Sequence, residues 1–389
     1  MIPRAFDDVG PDDLDALVRD QVAESRTIEY KATLFDNTDG GKKEFLADVS
    51  SFANAAGGDL IYGIVAADGV PREIRGLPEA NGESDLLRLD SIIRDGLAPR
   101  IPGVRLKWIQ DHAAGPVLLL RVPRSWMGPH MVTFGNSSRF YSRSPAGKFQ
   151  MDVAEIRAAF EGAAEIPTRI QRWRDERLGR LVADAGPFRL GGRGCFVLHI
   201  VPVESFVDEW RLGMPLLEAQ GRGLSPIGAG GWDSRINVDG FACFVPQDGG
   251  VTSAYTQVFR SGRIEAVTSR EIADYEGERL IASERYEQDL KQATAAYLRV
   301  LHQLDVEPPF FILLSLLNAK GATMALRARW PGEPATPVDR DVLTFPEVLV
   351  EVEEPDTAEV LKPIFDSVWN ACGLSGSQNY GEDGQWQLR

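Results

Sequence analysis

The stretch that most constrains this chain is a helix that ends in two glycines and runs directly into a buried strand. From about Lys42 to Ala55 the apolar residues Phe45, Leu46, Val49, Phe52 and Ala53 recur at helical spacing. Gly57-Gly58 end it, because glycine enters the left-handed conformation without a Cβ penalty. Asp59-Leu60-Ile61-Tyr62-Gly63-Ile64-Val65 follows as a near-continuous apolar run, the pattern of a strand covered on both faces. Ala67-Asp68-Gly69 reads as its turn. A chain with this unit must pack a helix on a sheet, and Val117 to Val122 (VLLLRV) supplies a second strand for that sheet.

The flanking segments fit the same plan. Leu14, Leu17, Val18 and Val22 mark a helix with an acidic first turn, where the helix dipole favours negative charge. Thr27 to Ala32 alternates by two, Ser84 to Gly96 is helical by pattern, and Val104 to Ile109 is strand-like. Asp152 to Phe160 is a helix with Asp152 at its N-cap and Glu155 completing a capping box. Strands and helices mix without strict alternation, so the class is α+β, and the first domain spans residues 1–162. A polar, Arg-rich linker helix is expected over residues 163–186, running from about Pro167 to Ala185 and carrying Arg169, Arg172, Arg174, Arg177 and Arg180.

Residues 187–372 read as a second α+β domain of unknown type, in a sensing or oligomerisation role. Its strands are Cys195 to Pro202, Ile236 to Phe244, and Ala254 to Phe259 joined through Ser261-Gly262 to Ile264–Val267. A long helix is expected from Glu271 to Leu304, followed by buried runs at Phe310–Leu317 and Val342–Val352. The Gly/Ser/Gln-rich residues 373–389 are expected to form a flexible tail.

Composition excludes several classes. At 389 residues and 43% hydrophobic, the chain has material for two to three packed domains rather than disorder. The balance of 42 Lys+Arg against 57 Asp+Glu, net −15, excludes a basic coat over the whole chain but not a local patch. Cys195, Cys243 and Cys372 are too few and scattered for a disulfide framework or a zinc site. The N-terminal residues show no signal-peptide pattern, and no apolar run approaches the ~20 residues of a membrane helix. A soluble, cytoplasmic protein is expected.

The motifs of the first domain resemble the Schlafen-type AlbA_2 family over about residues 13–160. The pieces are Glu24-Ser25-x3-Glu29-Tyr30-Lys31, Lys43-Glu44-Phe45-Leu46, Ser51-Phe52-Ala53-Asn54-Ala55-Ala56-Gly57-Gly58 and Gly63-Ile64. Arg75-Gly76-Leu77, Leu118 to Pro123, Phe140 to Ser144 and the closing helix from Asp152 then agree in order. The resemblance implies nucleic-acid binding, DNA or RNA, and in some members a divalent-metal-dependent RNase centre of three carboxylates. It points only loosely to regulation, stress or antiviral (phage) defence. Two of those carboxylates map to Glu24 and Glu29, which would also be the metal ligands for Mg²⁺ or Mn²⁺. The third belongs to an acidic pair directly after the Gly-Ile strand, where this chain has Val65-Ala66-Ala67, so Asp68 is the first carboxylate available for the catalytic set. Two carboxylates alone hold a hard cation weakly.

Other uses of the same residues weigh against chemistry. Glu24 and Glu29 could pair with Lys31 and Arg26 as ordinary surface ions. Gly57-Gly58 is a helix cap and not a phosphate loop, since the P-loop pattern is absent. The four histidines lack metal-ligand spacing. The strongest electrostatic signal is local: from Arg121 to Gln150 five basic residues (Arg121, Arg124, Arg139, Arg143, Lys148) stand without an acidic one, interleaved with aromatics. Cations neutralise phosphates and aromatic faces stack on bases, so Lys31, Arg121, Arg139, Arg143 and Lys148 are the expected nucleic-acid contacts. A basic strand edge that only blocks edge pairing is the competing use. Three readings stand open: a nucleic-acid-binding module, a metal-dependent endoribonuclease acting on structured RNA, and an interaction or scaffold subunit with no nucleic-acid role. A homodimer is expected, because paired AlbA_2 copies would face across a cleft and this chain carries one copy. Phe310–Leu317 and the Glu271–Leu304 helix are the interface candidates.

Overall fold

A computed structural model describes residues 1–4, 6–77, 82–206, 212–275, 277–326, 336–352, 354–381 and 383–387. The chain divides into two compact units, Met1–Pro167 and Thr168–Arg389.

The first unit contains α1 (Pro11–Arg19), β1 (Ile28–Lys31), α2 (Asp39–Ala53), β2 (Gly58–Tyr62), β3 (Ile64–Ala67), β4 (Val70–Ile74) and α3 (Glu83–Gly96). It continues through β5 (Leu97–Ala98), β6 (Arg105–Ile109), β7 (Val117–Val122), β8 (Met131–Val132), β9 (Arg139–Ser144) and β10 (Gly147–Gln150) to the first half of α4 (Val153–Val182). The main sheet runs β1-β2-β7-β6, parallel between β1 and β2 and antiparallel elsewhere; β10-β9-β8-β5 form a second sheet and β3-β4 a hairpin.

The unbroken apolar runs of β2 and β7 are explained by cover on both faces. Leu60, Tyr62, Leu118, Leu120 and Val122 pack under Phe45, Leu46, Val49, Phe52 and Ala53 of α2. Ile61, Val117 and Leu119 face Leu14 and Leu17 of α1 together with Ile28 and Tyr30 of β1. α2 starts earlier than the apolar spacing indicates, because the Thr38 hydroxyl accepts from the Gly41 N–H at 3.1 Å and draws the glycines into the first turn. Gly58 has φ +154°, and a Cβ there would lie 2.5 Å from both the Phe52 ring and the Thr27 carbonyl. Asn54 clamps two strands: its amide donates to the His130 and Tyr141 carbonyls and accepts from the His130 N–H.

The capping box forms as read, with Asp152 and Glu155 exchanging 2.8 Å bonds. The separate linker helix does not. α4 is one 30-residue helix that runs through Pro167, and its second half belongs to the second unit. Leu178 and Leu181 join that unit's core and Arg177 is buried against Glu265, so packing there outweighs the hydrogen bond lost at proline.

The second unit continues with β11 (Cys195–Pro202), α5 (Met214–Ala219), β12 (Asp233–Ile236), β13 (Gly240–Pro246), β14 (Thr252–Phe259), β15 (Ile264–Thr268), β16 (Ile272–Tyr275) and β17 (Glu278–Ala282). Then follow α6 (Ser283–Gln303), β18 (Phe310–Leu317), β19 (Thr323–Ala325), β20 (Val342–Thr344), β21 (Val348–Val350) and α7 (Thr357–Ala371). An eight-stranded sheet in the order β12-β13-β14-β15-β11-β18-β20, with β21 also on β18, is covered on one face by α6 and α7.

Two expectations fail in this unit. The long helix is α6 alone, because Ile272–Tyr275 and Glu278–Ala282 pair as the β16–β17 hairpin, with Gly277 at φ +85° before β17. The C-terminal residues are not a loose tail. Glu287, fully buried, accepts from Trp369, Ser377, Asn379 and Trp386, and so ties that segment onto α6. Phe310–Leu317 is buried at every position between β11 and the β20/β21 pair, so it offers no surface to a second copy. No helix among the described residues is long and apolar enough to cross a membrane.

Candidate functional site

Glu24 follows α1 and is fixed from both sides: its N–H donates to the Gly69 carbonyl at 2.6 Å, and its carboxylate accepts from the Tyr30 N–H at 3.0 Å. The first bond folds the β3–β4 turn back onto Glu24 and brings Asp68, at φ +53°, alongside. β1 alternates as its sequence suggests, burying Ile28 and Tyr30 on one face and presenting Glu29 and Lys31 on the other. Glu24, Glu29 and Asp68 thereby line one cleft of about 330 Å³ with Arg143, Lys148 and Pro145, Ala146 and Gly147 of the β9–β10 turn.

Charged groups along this cleft form a ladder. Glu29 pairs with the Arg143 guanidinium and with Lys31 Nζ at 2.5 Å. Lys31 reaches Asp48 at 3.3 Å, and Lys148 lies 2.6 Å from Asp48 and 2.5 Å from Glu44. Arg143 stacks over the Phe52 ring, 4.0 Å from its centroid, which fixes the guanidinium against the core. Burial pushes the Glu29 carboxyl up, but Arg143 and Lys31 overcome it and hold it below its ordinary value. Asp48 goes the other way: burial and the Glu29 charge raise it against the pull of Lys148 and Lys31. Lys31 is held above its ordinary value, since Asp48 and Glu29 outweigh its burial.

The expected phosphate contacts separate. Arg121 is corrected outright. It is 4% exposed, opposite Asp59 in the β2–β7 ladder, and donates to Asp59 at 2.8 and 3.1 Å and to the Arg4 and Ile2 carbonyls. A buried carboxylate needs a cation, so Arg121 serves the sheet, with four of its five N–H donors engaged by Asp59, Arg4 and Ile2. Arg143 and Lys148 line the cleft and Lys31 joins them through Glu29 and Asp48, and carboxylates neutralise all three. Arg139 is exposed and bonded to the neutral Gln150 amide, with no ion pair among the described residues. Of the aromatics, Phe134 and Tyr141 pack against the core of the unit, Phe140 meets Phe160 edge-on, and Phe149 is half exposed.

The carboxylates do not fit a resident divalent cation as they stand. Among the described residues no three His, Cys, Asp or Glu side chains sit together as a ligand group. Glu29 is engaged by two cations and Glu24 by the Tyr30 amide. A Mg²⁺ or Mn²⁺ ion would need Arg143 and Lys31 to leave first.

Asp48 is the residue that motif reading missed. It falls in the stripe Phe45, Asp48, Val49, Phe52, spaced i, i+3, i+4, i+7, and is 1% exposed. A charge in a core stripe was the available signal, because such a group persists only when paired.

The model of the Schlafen, AlbA_2 family matches residues 24–152. No curated protein matches the chain. Among solved structures the chain is similar to the DIP2311 protein from Corynebacterium diphtheriae, at 18% identity and a TM-score of 0.26, over 38% of this chain and 28% of that one. It is also similar to the N-terminal domain of a Nitrosomonas europaea protein described as related to the ATP-dependent DNA helicase RecG, at 25% identity and a TM-score of 0.26, over 37% of this chain and 92% of that one. The match and the motifs that line the cleft agree: over residues 24–152 the chain carries a Schlafen AlbA_2 domain.

Proposed function

We propose that this domain binds nucleic acid, with the phosphate backbone running from Arg139 into the cleft beneath the β9–β10 turn. The observation that carries the reading is the meeting of Arg143 and Lys148 with the motif residue Glu29 in one cleft of an AlbA_2 domain, with Lys31 paired to Glu29 behind it. Phosphate exchanges for carboxylate at Lys31, Arg143 and Lys148, while Arg139 offers an uncompensated charge at the start of β9. Binding does not require cleavage, and binding without cleavage is the reading adopted.

A second reading, a divalent-metal-dependent endoribonuclease, is favoured by one observation: Asp68 lies in the same cleft as Glu24 and Glu29. One experiment separates the two. The full chain is incubated with labelled structured RNA, single-stranded RNA and DNA, with and without Mg²⁺ or Mn²⁺, and retention and cleavage are scored together. Retention without cleavage supports the module. Metal-dependent cleavage that Glu29→Gln abolishes while binding persists establishes the nuclease, and absence of retention in every condition ends the nucleic-acid reading. Pairing of two copies belongs to the same proposal, and light scattering that gives a monomer mass at micromolar concentration removes it.

A further inference from the structure

The cleft presents a physical conflict: cations suited to phosphate are already held by carboxylates of the same chain. Lys148 Nζ lies near the Glu44 carbonyl at 3.4 Å, Glu44 Oε1 at 2.5 Å and Asp48 Oδ1 at 2.6 Å, so its three donors are all used internally. Lys31 likewise divides itself between Glu29 and Asp48.

The two partners of Lys148 differ in one respect. The Glu44 side chain is 63% exposed and can swing into water when a phosphate arrives. The Asp48 side chain is 2% exposed and fixed on the buried stripe of α2. Its carboxylate cannot leave, and among the described residues Lys31 and Lys148 are the cations that compensate its loss of hydration. Glu29 and Tyr62 also act on the Asp48 carboxylate electrostatically, and neither is a cation.

We propose that Asp48 sets how strongly the cleft holds a polyanion, because its fixed carboxylate competes with backbone phosphate for Lys31 and Lys148. The proposal rests on the nucleic-acid reading above and deepens it. Asp48 is a positioning residue here: it acts on the ligand only through the lysines. A merely structural ion pair would weaken binding when removed, whereas a competitor would strengthen it.

The test compares the full-length wild type with Asp48→Asn, which keeps the side chain's shape and removes its charge. Fluorescence anisotropy with labelled single-stranded RNA and DNA is recorded across a salt series. Asp48→Asn is expected to bind roughly 3- to 10-fold tighter at low salt, the scale of one charge removed near a partly solvated site. The slope of log K against log salt should steepen by ~0.7–0.9, one added phosphate contact. Adding Lys148→Gln to that variant should cancel most of the gain. Asp48→Ser, also neutral, replaces Asp48→Asn if the latter does not fold, and loss of fold in both makes Asp48 a stability residue and overturns the proposal. Equal or weaker binding with an unchanged slope, in a folded variant of a wild type that does bind, overturns the competition alone. Absence of binding by wild type and variants alike overturns the nucleic-acid reading and the proposal with it.

Discussion

Replacing Arg121 with Met should destabilise the first unit while leaving nucleic-acid binding by the folded protein nearly unchanged. Arg121 donates to both oxygens of Asp59, at 2.8 and 3.1 Å, and to the Arg4 carbonyl at 2.7 Å and the Ile2 carbonyl at 3.1 Å. The Asp59 side chain has no exposed surface. Its remaining bond is from the Ile2 N–H at 2.6 Å, which cannot neutralise a buried charge. Removing one partner of a buried pair costs about 3–5 kcal/mol. For a unit of this size that corresponds to a melting shift of roughly 10 °C. Urea unfolding and thermal melts by circular dichroism measure it. Converting Asp59 to Leu as well should recover much of the loss, because an apolar pair no longer buries an unmatched charge. Wild-type stability in Arg121→Met, with weakened nucleic-acid affinity, would return Arg121 to the binding face and refute the reasoning.

Phe52→Ala should cost ~3–5 kcal/mol in urea unfolding, since the ring is fully buried between α2 and the sheet and also carries Arg143; wild-type stability would contradict that. The second unit holds two buried carboxylates with opposite pH signatures. Burial pushes Glu265 up, but Arg177 and His199 overcome it and hold it at about 2, so its contribution exists above its ordinary 4.5 and fades as pH falls from there toward 2. Burial and Asp289 raise Glu271 to about 7, so its contribution is complete below 4.5 and is lost as pH rises through 7. Glu265→Gln should therefore lower the melting temperature more at neutral pH than in acid, and Glu271→Gln should raise it more above pH ~7 than below pH ~5; parallel melting profiles for either variant would refute its assignment. Trp386→Ala should speed proteolysis within residues 374–387, because Trp386 bonds buried Glu287 at 2.8 Å and lies 3.4 Å from Lys291 Nζ; an unchanged cleavage rate would restore the flexible tail.

Elements with a clean period were legible from sequence. β1 shows its two faces by alternation, α2 its stripe, and β2 and β7 their double cover by having no polar interruption other than Asp59 and Arg121. Those two residues form a cross-strand pair brought together by the β2–β7 register, and spacing along the chain does not encode a register. Reading Arg121 with its sequence neighbours therefore placed it on a surface it does not share. Asp68 reached the cleft because a backbone bond from Glu24 to Gly69 folds the turn back, a contact invisible to composition. The Glu271–Leu304 pattern merged a hairpin with a helix because alternation over residues 272–282 gives no helix-breaking signal beyond Gly277. Glu287 anchors the last residues through donors scattered from Trp369 to Trp386, and a Gly/Ser-rich composition masks such an anchor.

The cleft's role rests on its cations meeting phosphate, and salt dependence measures that directly. Wild type, Arg139→Gln and Lys148→Gln are titrated with labelled single-stranded RNA and DNA across ionic strength, after each variant's melt shows an intact fold. Binding by the wild type is predicted to weaken linearly in log salt, with the slope reduced by ~0.7–0.9 in Arg139→Gln and by a smaller amount in Lys148→Gln, whose cation is shared with Asp48 and Glu44. Wild-type slopes in both variants, or no binding by the wild type at low salt, would contradict a nucleic-acid interface at this cleft.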